Sequence, residues 1–140
     1  MSNGNNGITA TNEYADIEVT QSDHIAVIEI QRPPFNFFDL SLIQQIAEAL
    51  DRADNNPECR VVVLTSTGKA FCAGANFGSG QTDGDQSPEF TEEGFQNTTG
   101  KLYSEAIRLF RSKKPIIAAI QGAAIGGGFG LACVADFRIA

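Results

Sequence analysis

The sequence is poor in the side chains that build most metal and redox centres. It has one histidine, His24, so no imidazole cluster can form, and a Ser-His-Asp triad would have to use that residue. Its three cysteines, Cys59, Cys72 and Cys133, are odd in number, widely spaced and contain no CxxC pair. That spacing fits neither a zinc site nor a thioredoxin-type motif, and no metal is expected. The plain expectation is three reduced, mostly buried thiols in a cytoplasmic protein. Positive charge is also scarce: 10 basic residues face 17 acidic ones, a net charge of -7. A chain without a basic face is not expected to bind nucleic acid. No apolar run approaches the roughly 20 residues of a membrane span, so no membrane partner is expected. Residues 1–10 lack the basic-then-apolar plan of a signal peptide.

What remains is a globular composition, 42% hydrophobic and 19% charged over 140 residues, which suits a single domain. Residues 1–13, rich in Gly, Asn and Thr, read as a flexible tail, with the domain proper over 14–140. Asp16 to Thr20 alternates polar with apolar, and Ile25 to Ile30 is a second strand, so the pair predicts a hairpin closed at 21–23. Arg32-Pro33-Pro34 stops it. Ile43, Ile46, Ala47, Leu50 and Ala53 recur at helical spacing. Ser41 with Gln44 offers a capping-box start and Asp39 a rival cap, while Asn55-Asn56-Pro57 ends the helix. Val61 to Thr65 and Ile116 to Ile120 are short apolar runs that read as strands buried on both faces. Ala70 to Ala73 is a further strand. From Gly78 to Gly94 the chain is polar and acidic and reads as a long surface loop, either a solvated insertion or a lid. Leu102, Ala106, Leu109 and Phe110 mark a second amphipathic helix. Gln121 to Ile125 reads as a small-residue loop, Gly126 opens a short buried helix through Cys133, and Phe137 to Ala140 begins a strand. Strands alternate with helices, so the class is α/β. The chain stops inside an apolar element with no cap or polar tail, the expected look of the first part of a longer protein.

Two glycine-containing segments carry the chemistry. The first runs from Gly68 through Lys69, Ala73, Gly74 and Ala75 to Asn76 and Phe77. The second runs from Gln121 through the triplet Gly126-Gly127-Gly128 to Leu131. Each follows a strand, so both emerge from the same end of a sheet if the strands are parallel. A glycine triplet opening a helix leaves N–H groups unpaired at the positive end of the helix dipole, a place suited to an anion or to an oxygen gaining charge during reaction. Close packing of helix on strand explains the same triplet equally well. A dinucleotide fingerprint fails because Leu131 stands where its last glycine belongs, and no Gly-Lys-Ser/Thr completes a phosphate-binding loop. An unrelated α/β nucleotide binder is therefore a minor alternative.

Taken together, these segments resemble the crotonase superfamily, the enoyl-CoA hydratase/isomerase proteins. The resemblance runs from Ile17 to Ala140 through Arg32-Pro33-Pro34-Phe35-Asn36, Val61 to Thr65, Lys69 to Asn76, the Gly126–Gly128 triplet and Ala135-Asp136. It implies a spiral of repeated ββα units, here its N-terminal half. The remainder would complete the core and the helices of a homotrimer or hexamer. It implies an acyl-CoA thioester as substrate, with coenzyme A part of that substrate and no permanently bound cofactor. The thioester oxygen would lie between the N–H groups of Ala75 and Gly127. Ala73, Asn76, Phe77, Gly78, Gly126 and Gly130 would line the substrate path, and Arg32 and Lys69 are candidates for the CoA phosphates or adenine. Asn76 replaces an aspartate that many members carry. Family hydratases carry a glutamate three positions after the middle glycine of the triplet, where this chain has Gly130. Glycine cannot move a proton, so isomerisation or other one-acid chemistry is expected over hydration. A non-catalytic acyl-CoA-binding protein is the alternative. Asp39, Asp136 and Glu105 read as a cap, a turn residue and a helix-surface charge rather than as general acids.

Overall fold

A computed structural model describes residues 9–11, 13–75 and 92–140. Three short strands open the chain: β1 (Thr9–Thr11), β2 (Ile17–Ser22) and β3 (Ile25–Ile30). They form an antiparallel meander, with Thr9 opposite Gln21 and Ile17 opposite Ile30. The tail expected over 1–13 therefore includes a strand at Thr9–Thr11, paired with β2 at the edge of the sheet. The turn is confined to Asp23 and His24 rather than spanning 21–23, with Asp23 in the left-handed region at φ 52°.

Helix α1 (Leu40–Asn55) buries the stripe that its periodicity predicts: Ile43, Ile46, Ala47, Leu50 and Ala53, with Leu42 and Ala49. Its cap is Asp39, whose Oδ1 accepts from the Leu42 N–H at 2.9 Å. Ser41 lies inside the helix and instead donates to Asp16, so the capping box does not form. The other carboxylate oxygen of Asp39 is held by Arg32 at 2.7 Å, which aims the cap.

The rest is a succession of ββα units. β4 (Val61–Ser66), β5 (Ala70–Cys72) and α2 (Glu92–Leu109) are followed by β6 (Ile116–Ala119), β7 (Ala123–Ala124) and α3 (Gly127–Val134), and then β8 (Phe137–Ile139). The first strand of each unit joins one six-stranded sheet, in the order β1-β2-β3-β4-β6-β8, parallel from β3 onward. The second strands, β5 and β7, form their own parallel pair. This is the crotonase-type α/β architecture expected from the sequence.

Three local expectations change. β4 and β6 are not buried on both faces: Val62, Leu64, Ile116 and Ala118 are buried, whereas Val61, Val63, Thr65 and Ile117 are half-buried. Successive side chains alternate across the sheet, and the core occupies one face of it. Ala123–Ala124, expected in a loop, is a strand because β5 offers it a hydrogen-bonding edge. Glu92–Gly94, expected in the acidic loop, already belongs to α2; the remainder of that loop lies outside the described residues.

The core joins α1, the inner faces of β3, β4 and β6, Phe71 and Cys72 of β5, Leu109 of α2, and Leu131 and Ala132 of α3 into one cluster. Asp136, read as a turn residue, pins β8 beside β6 by accepting from the Ile116 N–H at 2.8 Å. Among the described residues, no helix is long and apolar enough to cross a membrane.

Candidate active site

The two glycine segments leave the same end of the main sheet, after its parallel neighbours β4 and β6, and their own short strands β5 and β7 then pair in parallel. Their close approach depends on glycine. Gly74 has φ +82°, and a Cβ there would stand 2.8 Å from the carbonyl oxygen of Ile125. L side chains rarely adopt such a backbone, so Gly74 lets the first segment cross the mouth of the second. The Phe38 N–H bonds the Gly74 carbonyl at 2.8 Å, and the Ile125 N–H bonds the Cys72 carbonyl at 3.0 Å. Gly128 rests on β5, and a Cβ there would stand 2.0 Å from the Cys72 carbonyl oxygen. Close packing therefore accounts for Gly128, as one sequence reading held.

Packing does not account for the N–H groups. Gly126 is the N-cap of α3 at φ 55°, with no side chain to satisfy the helix start. The Gly128 N–H bonds the Ile125 carbonyl at 2.8 Å, and the Gly130 N–H bonds the Gly126 carbonyl at 3.1 Å. The N–H groups of Ala75 and Gly127 have no acceptor among the described residues. Both residues line one cavity of about 450 Å³.

That cavity has an apolar wall. α2 contributes Leu102, Tyr103, Ala106 and Ile107, the turn after it Phe110, and α3 Gly130, Leu131, Cys133 and Val134, with Phe38 beneath Gly127. The α2 contribution goes beyond the sequence reading, in which Leu102, Ala106, Leu109 and Phe110 mark a second amphipathic helix. Leu109 is buried, but Tyr103, Ile107 and Phe110 are more than half exposed and face the cavity. Their spacing, i, i+4 and i+7, was the available signal: a second apolar stripe beside the first. Cys133 is exposed rather than buried and lies on this wall, whereas Cys59 and Cys72 are buried as expected. Burial pushes the Cys72 thiol up. No aspartate, glutamate or histidine is among the described residues lining the cavity.

The structure gives Arg32 a different role from the one expected. Its guanidinium bonds Asp16 at 2.7 Å, Asp39 at 2.7 Å and the Phe37 carbonyl at 3.1 Å. Those partners raise its already high pKa, and its hydrogen bond holds the Asp16 carboxyl below the usual range. Its donors are engaged in fixing the start of α1 rather than presented to a phosphate. Lys69 is exposed on the turn after β4, with its backbone N–H on the Pro34 carbonyl at 2.9 Å. Ala73 is half-buried, its N–H on the Phe35 carbonyl at 2.9 Å. Asn76, Phe77 and Gly78 lie outside the described residues.

A residue quoted only as part of a motif proves central to this geometry. Asn36 is fully buried at φ 51°. Its Oδ1 accepts from the Arg32 N–H at 3.0 Å, and its Nδ2 donates to the carbonyls of Thr67 at 2.5 Å and Ala70 at 2.8 Å. It thereby ties the loop before α1 to the start of β5, which leads to Ala75.

Comparison with known proteins agrees with this arrangement. The family model described as "Enoyl-CoA hydratase/isomerase" matches residues 20–140. A "probable enoyl-CoA hydratase" of Mycobacterium tuberculosis is 33% identical over 130 residues, covering 91% of this chain and 48% of its own length. "Mevalonyl-coenzyme A hydratase SIDH" of Beauveria bassiana is 34% identical over 128 residues, covering 84% and 42%. The crystal structure of an enoyl-CoA hydratase from Shewanella pealeana superposes with a TM-score of 0.78 at 27% identity, covering 91% of this chain and 47% of that one. The chain spans about half the length of the curated relatives it matches. With its ββα succession and paired glycine segments, the chain belongs to the enoyl-CoA hydratase/isomerase family of the crotonase superfamily.

Proposed function

We propose that the protein binds an acyl-CoA thioester and stabilises its enolate in an oxyanion hole formed by the N–H groups of Ala75 and Gly127. One observation carries this reading: these two N–H groups lack an acceptor among the described residues and border the same apolar cavity. Removing the proton next to a thioester carbonyl moves negative charge onto its oxygen. Two fixed donors in an apolar surround favour that charge without reorganising, and loss of one such donor typically costs roughly 2.7–4 kcal/mol of barrier. The Gly127 donor has the α3 dipole behind it. Lys69, exposed at the start of the first segment, is the cation proposed for the phosphates or adenine of CoA. Ala73 and Gly126 flank the donors, and Asn76, Phe77 and Gly78 continue the proposed CoA path.

The reaction proposed is one that a single acid or base can run, such as double-bond isomerisation, thioester hydrolysis or decarboxylation. Hydration in this family uses two carboxylates, and the position of one is Gly130. The hydratase names of the relatives point the other way, and assay of crotonyl-CoA hydration decides between them. A second reading, a non-catalytic acyl-CoA-binding protein, is favoured by the lack of any carboxylate or imidazole among the described cavity residues. Turnover of any acyl-CoA excludes it.

The test is titration of the protein with acetoacetyl-CoA, following the enolate absorbance band. A saturable band supports the CoA site and its oxyanion hole. No band, with CoA failing to bind, removes the reading and leaves the glycines as packing residues.

A further inference from the structure

The cavity wall has one place where a side chain is missing and nothing else takes its room. No described atom lies within 4 Å of where a Cβ on Gly130 would stand. The other glycines of α3 differ: a Cβ on Gly127 would stand 2.9 Å from the Phe38 ring, and one on Gly128 would meet β5. Gly130 follows Gly127 by three residues, so it lies on the same helix face, about 4.5 Å further along the axis. Gly130 is exposed to the cavity, which Leu131, Cys133, Val134 and, from α2, Tyr103 also line. A cleft of this composition offers a water few partners, so it favours hydrocarbon.

We infer that Gly130 is a specificity-determining residue whose missing side chain forms a notch for a branch on the acyl chain, so that the substrate class is an apolar, branched acyl thioester. The inference rests on the proposed placing of the thioester oxygen at the Gly127 N–H. An acyl chain that runs from that oxygen along α3 passes Gly130 about 4.5 Å on, at its second and third carbons. A straight chain passes the notch and leaves it unfilled. A methyl branch at either carbon enters it and is removed from water. A hydroxyl or carboxylate in the same place would lose hydration without gaining a partner from this wall.

The test is equilibrium titration with CoA and three isomeric five-carbon thioesters, n-pentanoyl-CoA, isovaleryl-CoA and 2-methylbutyryl-CoA. Isomers carry the same number of carbons, so their differences report shape. At least one branched isomer is expected to bind about fourfold or more tighter than the straight one, the worth of about one buried methylene. Gly130→Leu should abolish that preference, weakening the branched thioester about tenfold while changing the straight one less than about threefold. Gly130→Ala, which relieves a helix interior of glycine and so secures folding, should reduce the preference part-way. Equal binding of the isomers, or an equal loss for all of them in both variants, overturns the notch while leaving the CoA site standing. Failure of CoA and every thioester to bind overturns the proposed function, and the notch with it.

Discussion

Helix α3 lies so close to β5 that the Cα of Gly128 leaves no room for a methyl group before the carbonyl oxygen of Cys72: an added Cβ would stand 2.0 Å from it. The atom met is backbone, so it cannot rotate away. Gly128→Ala must lift the N-terminal turn of α3 from β5. Overpacking of this kind typically costs about 1–3 kcal/mol. The expected outcome is that loss in urea unfolding, with weaker acetoacetyl-CoA enolate absorbance because the Gly127 N–H moves with the turn. Gly130→Ala, two residues on, faces open space and should instead leave stability unchanged or raise it by about 0.5–1 kcal/mol. Equal destabilisation by the two substitutions would contradict the packing described.

Asn36 sets the path from the loop before α1 to Ala75 with three hydrogen bonds from one buried amide. Asn36→Ala leaves the carbonyls of Thr67 and Ala70 without that donor. It also places alanine at φ 51°, a conformation that asparagine tolerates better. A buried group left unpaired costs about 1–3 kcal/mol. The variant is expected to lose at least that much, measured by chemical denaturation. Asn36→Asp keeps the backbone tolerance but removes the donor, so it should fall close to the alanine variant.

Much of this was legible because the local signals and the tertiary structure agree. Periods of two and 3.6, closed by Arg32-Pro33-Pro34 and by Asn55-Asn56-Pro57, mark the strands and α1. The triplet marks the start of α3. The parts that were not legible depend on distant partners. Gly94, Thr98, Thr99 and Gly100 are weak helix formers without an apolar stripe, so the first turns of α2 left no pattern to read. Two alanines are poor strand formers, and β7 exists because β5 lies beside it. Asp39 and Ser41 both had the chemistry of a cap, and the choice was made by Arg32, seven residues upstream of Asp39 and bonded to it. The same contact explains why a conspicuous arginine is not presented to a phosphate.

The Arg32–Asp16 contact carries a pH dependence. Its hydrogen bond lowers the folded-state pKa of Asp16 from its ordinary value of 3.8. Between the lowered and the ordinary value the unfolded chain binds the extra proton, so stability falls as pH falls. The contribution is complete above about pH 4 and is lost as pH drops through the folded value. Asp16→Asn should therefore be less stable than the parent at pH 7 and converge with it in acid. Arg32→Met removes charge-assisted bonds to both carboxylates and should cost about 1.5–3 kcal/mol at pH 7. Thermal melts of both variants from pH 7 down to pH 3 check this, and parallel curves for Asp16→Asn and the parent would refute the assigned cause.

At the far end of the six-stranded sheet, β8 has β6 on one side and no strand on the other among the described residues. Phe137 and Ile139, two residues apart on one face, are 64% and 66% exposed, and Phe129 on the neighbouring α3 is 64% exposed. An edge with free backbone groups and large apolar side chains pairs readily with another edge. The 140-residue chain produced by itself is therefore expected to self-associate, giving sedimentation coefficients that rise with concentration. Phe137→Lys combined with Ile139→Lys should shift the population toward monomer, because like charges on one strand face repel and lysine blunts edge pairing. The paired lysines touch neither Ala75, Gly127 nor the cavity wall, so any binding of acyl-CoA by the chain should survive them. A monodisperse monomer before substitution would show that this edge is tolerated in water, and the apolar face of β8 would then need another explanation.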